Sequence, residues 1–230
     1  MNKKQQVEQM FDNIASSYDF LNHFLSMGID KLWRKKAVRM LKKYNPMNIL
    51  DVASGTGDFA IETAKIMPHE IVGFDLSGQM LRVGEEKVRK LELDGIIRFQ
   101  KGDSENMPFA AGSFDAITVA FGVRNFENLE KGLQEFIRVL KPGGVAVILE
   151  FSRPHVFPFR QLYMFYFRHI LPLIGGLISK DDSAYNYLPE SVMAFPDDQD
   201  FLNILKRNGF SRFRQRRLTF GIATIYEAVK

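Results

Sequence analysis

The sequence predicts an α/β protein built on a mostly parallel sheet, and three observations predict it. Between residues 48 and 151, five short apolar runs alternate with stretches of helical periodicity. A glycine-rich turn, SGTGD, follows directly on the first run. The run FDAITVAF (114–121) is continuous and β-branched, as a strand buried on both faces should be. Strands alternating with helices imply parallel pairing through right-handed crossovers.

Composition sets the outer bounds. The 230 residues fit one domain of ordinary size. Hydrophobic residues at 46% supply a sizeable core, and 25% charged residues exclude global disorder. Lysine and arginine outnumber aspartate and glutamate by 31 to 27. That net charge of +4 is too small to argue for nucleic acid as a partner, yet it suits an anionic membrane surface. The absence of cysteine excludes disulfides, thiolate nucleophiles and cysteine-ligated metals. The opening MNKKQQVEQM lacks the apolar core of a signal peptide, so a cytoplasmic location is expected.

Residues 5–43 are expected to be helical, because Val7, Met10, Phe11 and Ile14 recur at helical spacing, as do Leu21, Phe24 and Leu25. NILDVA (48–53) is the first strand, and the helix after SGTGD (54–58) carries Phe59, Ile61 and Ala64 inward. IVGFD (71–75) and IIRFQKGD (96–103) are the second and third strands, with FDAITVAF the fourth. An amphipathic helix over Leu129, Leu133, Phe136, Ile137 and Leu140 is stopped by LKPGG (140–144), since proline and glycine do not continue it. VAVILEF (145–151) is the fifth strand. A last helix is expected from near Asp197 to Gly209, followed by a closing strand pair, SRFRQRR (211–217) and FGIATIYEAV (220–229). The chain thus divides into helices (1–46), a sheet core (47–154), an apolar helical cap (155–195), and a final helix with closing strands (196–230). In the cap, Arg160, Arg168, His169 and Pro172 interrupt the apolar run 155–179 and speak against a membrane span.

In open parallel sheets, ligands bind beyond the carboxyl ends of the strands. The segments leaving those ends here are SGTGD, Asp75, GDSENMPF, FGVRN and EFSRP. Gly55 and Gly57 let backbone approach a ligand closely, beside a helix amino terminus that favours an anion. Asp75, ending the second strand, is placed to accept both ribose hydroxyls of an adenine nucleoside. Asp103, at the end of the third, lies where the adenine ring would sit. The ordinary alternative is a plain turn with two helix-capping aspartates. A nicotinamide dehydrogenase shares the glycine turn and the acid, but the third glycine of its pattern is missing.

DVASGTGD, GFDLS, GDSENMPF, FDAITVAFGVRN and RVLKPGG resemble successive motifs of the Rossmann-like class I methyltransferases. MFDNIASSYDFLNHFLSMGIDKLWR (10–34), FGVRN (121–125) and YNYLPES (185–191) narrow the resemblance to the quinone-biosynthesis C-methyltransferases, which methylate demethylmenaquinol or polyprenyl-benzoquinol rings. The resemblance spans essentially the whole chain. It implies a seven-stranded sheet with a helical cap after the fifth strand, and S-adenosyl-L-methionine as cofactor. It implies cofactor contacts at Gly55, Thr56, Asp75, Asp103, Ser104 and Ala120. Many members carry Asn-Ala at the 103–104 pair and Ser at 120, so a backbone contact is what Ala120 would retain. The expected partner is a lipid-tailed quinol, with peripheral contact at the inner face of the membrane and a homodimer as further expectations.

Transfer of a methyl group from a sulfonium is an in-line displacement that depends on positioning and on exclusion of water. It needs no metal, and His23, His69, His155 and His169 are scattered in sequence. A ring carbon becomes nucleophilic when the neighbouring phenol loses its proton, which calls for a base or a field that stabilises phenolate. Arg124 and Asn125, just past the fourth strand, are the candidates, with Tyr18 closing over the site from the N-terminal helices. Each has a plain alternative: Arg124 paired with a surface carboxylate, Asn125 capping the next helix, Tyr18 packing in the core. The 155–179 segment is read as a wall for a prenyl tail, with ordinary core as its alternative. Two rivals to quinol methylation remain: methylation of a soluble small molecule, and a non-catalytic cofactor-binding subunit of a quinone-synthesis complex.

Overall fold

Seven strands form one sheet in the order β3-β2-β1-β4-β5-β7-β6. The computed structural model describes residues 2–166 and 183–230, with the side chains of 21, 24, 25 and 183–186 left aside. The strands are β1 (Asn48–Val52), β2 (Glu70–Asp75), β3 (Ile97–Lys101), β4 (Phe114–Ala120), β5 (Leu140–Phe151), β6 (Arg212–Leu218) and β7 (Ala223–Val229). β1 to β5 pair in parallel, whereas β7 runs antiparallel to both β5 and β6. The chain winds outward from β1 to β3, then returns to place β4 on the other side of β1. That reversal opens a crevice at the carboxyl ends of β1 and β4.

Alternation along the strands divides two layers. Leu50, Val52, Val72, Phe74, Ile117 and Ile148 face α6 (Leu129–Val139) and the last helix, Gln199–Arg207. Ile49, Ile71, Ala116, Val145, Val147 and Ile225 face α3 (Ile29–Lys42), α4 (Asp58–Ala64) and α5 (Gly78–Lys90). Before the sheet come α1 (Lys3–Ile14) and α2 (Tyr18–Leu25). The Asn2 side chain caps α1, accepting from Gln5 N at 3.0 Å. After β5 come α7 (Phe159–Phe165), α8 (Ser183–Ala194) and α9, the Gln199–Arg207 helix. β6 is an edge strand, and Arg212, Arg214 and Arg216 charge it against pairing with another chain.

Several boundaries differ from expectation. β1 stops at Val52 and β4 at Ala120, because Ala53 (φ 51°) and Phe121 (φ 60°) turn left-handed. β3 ends at Lys101, so Asp103 lies past it in a turn bridged to Asn106. LKPGG stops α6 at Val139 as expected, but β5 begins within it: the strand already pairs at Leu140↔Phe114, bulges, and resumes at Val145↔Ala116. Pro142 and Gly143 occupy the bulge, where a missing N–H and a positive φ of 78° are tolerated. The final helix begins at Gln199 and β7 at Ala223. Asn125 is not the cap of α6; Asn128 is, accepting from Lys131 N at 3.1 Å. The stretch 167–179 of the apolar cap, with Arg168, His169 and Pro172, lies outside the described residues. Among the described residues, no helix is long and apolar enough to cross a membrane.

Candidate functional site: three cavities around a glycine turn

Beyond the carboxyl ends of the central strands, three cavities meet. The first holds about 730 Å³, part of it open to solvent, and is lined by Gly55, Asp75, Asp103, Ser104, Ala120 and Asn125. The second is of similar size, about 730 Å³, with Arg124, Phe151 and Tyr187 in its wall. A third, of about 330 Å³, lies around the glycine turn between Asp51, Ser54, Thr56 and Arg34. Tyr18 lines all three, and Phe11 and Phe121 separate the first two.

The turns at the strand ends are held under strain. Ala53 and Phe121 adopt the left-handed region that non-glycine residues avoid, at roughly 1–3 kcal/mol each. Gly122, just past β4, is needed for its smallness and not for its backbone freedom. A Cβ there would meet Ala53 Cβ at 2.4 Å, so its smallness lets the β1 and β4 ends approach. Gly57 does need its freedom, with φ at 81° and the Phe99 ring 2.7 Å from any added Cβ.

α1 roofs the first cavity. Lys4 bonds Asp103 Oδ2 at 2.8 Å and Glu105 at 2.9 Å. Lys3 donates to Phe126 O at 2.6 Å, and the Ser77 hydroxyl bonds Asp12. Beneath that roof, Asp75 accepts Gly55 N on Oδ2 and Ser77 N on Oδ1, each at 2.8 Å. Burial raises its carboxyl above the usual range, against the pull of those N–H groups. Backbone donors orient both oxygens, and a carboxylate has acceptor capacity beyond them. Asn125 Oδ1 is buried there without a partner.

The predicted residues divide unevenly among the cavities. Gly55, Asp75, Asp103, Ser104 and Ala120 converge on the first as expected. Thr56 faces the third, with its hydroxyl bonded to Asp19 and Lys87 Nζ 3.3 Å away. Arg124 and Asn125, expected side by side, point into different cavities. The carboxylate paired with Arg124 is not at the surface; it is Glu150, 0% exposed, at 2.8 Å. Arg124 Nη1 also donates to Phe121 O and Nε to Ser191 at 3.3 Å, with the guanidinium 5.4 Å from the Phe151 ring centre. The Tyr18 hydroxyl bonds Asn22, and burial raises its pKa, which makes it a poor base.

Sequence reasoning missed Asp51, Ser54, Arg34 and Glu150. Asp51 is fully buried in the middle of the sheet, accepting from Thr118 Oγ1 at 2.6 Å. Burial pushes its carboxyl up to about 7, which the Thr118 bond and Arg34 only partly offset. Asp51 Oδ2, Ser54 Oγ and Arg34 Nε are buried without partners, and all three residues line the third cavity. Such orphaned groups cost about 1–3 kcal/mol each unless a ligand or water satisfies them. A fourth group, His23, Asp30 and Asp58, has ligand atoms within 4.8 Å of one another. Cations of the chain already fill it: Arg34 sits on Asp30, and Lys87 Nζ is 2.5 Å from Asp58.

The reversal between β1 and β4, the glycine turn and Asp75 at the next strand end define a class I methyltransferase. The same fold is seen in a SAM-dependent methyltransferase from Thermotoga maritima, with TM-score 0.68 at 18% identity over 96% of this chain and 99% of that one. The chain belongs to the ubiE/COQ5 methyltransferase family, whose model matches residues 1–230. It is 52% identical to the demethylmenaquinone methyltransferase of Bacteroides fragilis over 99% of this chain and 94% of that one. It is 49% identical to the ubiquinone/menaquinone biosynthesis C-methyltransferase UbiE of Geotalea daltonii, over 99% and 97%. It is therefore an S-adenosylmethionine-dependent C-methyltransferase.

The residues present fit that cofactor. It carries an adenosine with two ribose hydroxyls, and an amino-acid end with one ammonium and one carboxylate. Asp75 offers an oriented acceptor pair for the hydroxyls. The third cavity offers an unpaired carboxylate oxygen for the ammonium, and an unpaired guanidinium N–H and hydroxyl for the carboxylate. Bound there, the cofactor supplies the electrophilic methyl group. Asp75→Ala is expected to lose about 1.5–3 kcal/mol of cofactor affinity, roughly tenfold or more. Calorimetric titration with S-adenosylhomocysteine reads it, and unchanged affinity in a folded variant would remove the second strand end from the ribose site.

Proposed function

We propose that the protein methylates the ring of a prenylated quinol, demethylmenaquinol to menaquinol, in menaquinone biosynthesis. In this reading the whole chain acts as one catalytic domain. Adenosine lies in the first cavity, with the amino-acid end of the cofactor against Asp51, Ser54 and Arg34. The quinol lies in the second, and the methyl crosses where Tyr18 and Phe121 line both. The observation that carries it is this pair of adjoining cavities, with a buried cation, Arg124, in the wall of the second. A guanidinium keeps its proton at neutral pH, so Arg124 stabilises phenolate instead of acting as the base. Asn125, in the first cavity, is assigned to the cofactor. Relatives named for demethylmenaquinone and for ubiquinone/menaquinone support a naphthoquinol first and a benzoquinol second.

Purified chain, S-adenosylmethionine and reduced demethylmenaquinone should yield menaquinone by mass spectrometry, with the benzoquinol analogue turned over more slowly. No product from the chain alone would leave the non-catalytic subunit as the better reading. Equal activity on a tail-less naphthoquinol would favour a soluble substrate. Demethylmenaquinone should also accumulate in cells lacking the protein. A homodimer remains part of the proposal, and mass in solution decides it.

The proposal places the protein in the cytoplasm, peripheral at the inner face of the membrane. Val156, Phe157, Leu162, Phe165 and Phe220 are exposed, Phe220 stacks on Phe159 at 3.7 Å between ring centres, and Arg160 lies among them. An exposed apolar cluster with a basic residue suits an anionic lipid surface. Phe157→Ser with Phe165→Ser should reduce sedimentation with phosphatidylglycerol vesicles while leaving activity on a short-tailed quinol intact. Undiminished sedimentation would dismiss this surface.

A further inference from the structure

We propose that Tyr187 is a substrate-positioning residue whose hydroxyl hydrogen-bonds the ring oxygen opposite the reacting carbon's own neighbour. The inference rests on the reading of the second cavity as the quinol site and adds a specificity determinant to it.

The second cavity is mostly apolar, and its polar groups are nearly all engaged with one another. The Ser26 hydroxyl donates to Asp30 at 2.6 Å, and Asp30 also holds Arg34 and His23. The Tyr18 hydroxyl is bonded to Asn22. Arg124 is tied through Nη1 and Nε to Glu150, Phe121 O and Ser191. Among the described residues, Nη2 makes no hydrogen bond. Two buried polar atoms among the described residues of its wall stand outside this pairing: Arg34 Nε, which also borders the third cavity, and the Tyr187 hydroxyl, beside Arg124.

Its placement follows from helix geometry. Tyr187 and Ser191 are one turn apart on α8 and share a face. Ser191 is bonded to Arg124 Nε, so the same contact that fixes α8 against the guanidinium brings the Tyr187 hydroxyl to the cavity beside it. Burial raises the pKa of this phenol, outweighing the pull of Arg124, so Tyr187 stays protonated and can donate. A buried donor next to a cation, both turned to one apolar slot, matches a flat ring bearing two oxygens. Arg124 faces the oxygen adjacent to the carbon that accepts the methyl, and Tyr187 takes the oxygen across the ring. A site built to hydrogen-bond a substrate oxygen discriminates against analogues that lack it, because its own polar group is then left unpaired.

The test compares wild type and Tyr187→Phe on two short-tailed substrates. The first is reduced 2-prenyl-1,4-naphthoquinol. The second is 3-prenyl-1-naphthol, which keeps the hydroxyl beside the reacting carbon and lacks the one across the ring. On the diol, Tyr187→Phe should raise KM about three- to tenfold, with kcat within about twofold. On the mono-ol, the two enzymes should have the same KM. An equal KM increase on both substrates, or none on the diol, overturns the inference and leaves the proposed function standing. Failure of the wild type on both substrates removes the proposed function, and this inference with it. Phenylalanine keeps the ring and its packing, and an unchanged melting temperature verifies that the fold is not what moved.

Discussion

Arg124→Ala is expected to keep its affinity for S-adenosylhomocysteine while turnover falls about a hundred- to a thousandfold, some 2.7–4 kcal/mol of transition-state stabilisation. As the ring carbon takes the methyl, the neighbouring phenol sheds its proton and negative charge gathers on its oxygen. A cation held in place before the reaction stabilises that charge at little reorganisation cost, and the structure fixes this one, itself buried, on three sides. Glu150 holds Nη1, Ser191 holds Nε, and the guanidinium carbon stands over the Phe151 ring, 5.4 Å from its centre. Lysine is expected to restore only part of the rate, since it lacks the planar fork. The defect should shrink as pH rises, because a quinol already ionised in solution has less need of the cation. Removing Arg124 alone leaves the Glu150 carboxylate buried and unpaired, at a stability cost of about 3–5 kcal/mol. Arg124→Gln with Glu150→Gln removes both charges and keeps hydrogen-bonding groups in place, so it separates folding from chemistry. Single-turnover rates across pH on both variants decide the matter. Near-normal turnover in the paired variant, or a defect confined to cofactor binding, would take Arg124 out of the chemistry.

The sheet was legible because its signals are local. Apolar runs and helical periods placed β1 to β5 and α6 within a few residues, and FDAITVAF is buried on both faces as its continuity predicts. What escaped was set by tertiary approach. The ends of β1 and β4 depend on Ala53 and Phe121 turning left-handed, and alanine and phenylalanine give no hint of that. LKPGG ends α6 as it reads, yet pairing of Leu140 and Val145 with β4 also draws it into β5 as a bulge. Within the site, Gly55 and Asp75 were found because each stands at a strand end next to a turn. Arg34 gave no signal, since it reaches the site from α3, before the first strand and away from any strand end in sequence. Asp51 and Glu150 did carry one: each is an acid inside an otherwise apolar central strand, where burying a charge is costly unless something answers it. Reading NILDVA and VAVILEF for the residue that violates the pattern would have located both.

Asp51 yields the second large effect, and it has opposite signs for stability and for binding. Its carboxyl stands near 7 in the folded chain against 3.8 in the unfolded one, raised chiefly by burial. Between those values the folded protein holds a proton that the unfolded chain has released. The stability contributed by the neutral acid is therefore fully present below pH 3.8 and is lost as pH rises through about 7. Asp51→Asn should remove that dependence and raise the stability of the ligand-free protein at pH 8 by a few kcal/mol, on the order of 1.4 kcal/mol per unit of pKa displacement. The same substitution should weaken S-adenosylhomocysteine binding about tenfold or more, because asparagine offers the ammonium a dipole in place of a charge. Binding to wild type should also release a proton near pH 6–7, since an ammonium beside Asp51 favours its charged form. Titration calorimetry in two buffers of different ionisation enthalpy measures that proton directly, and Asp51→Asn should release none. Thermal melts from pH 4 to 8 supply the other half. If wild type and variant melt with the same pH profile and release the same number of protons, Asp51 is ionised in the folded chain as in the unfolded one, and the ammonium lies elsewhere. If stability rises and affinity falls together, the chain keeps a destabilising acid in its core because the cofactor's charge needs it.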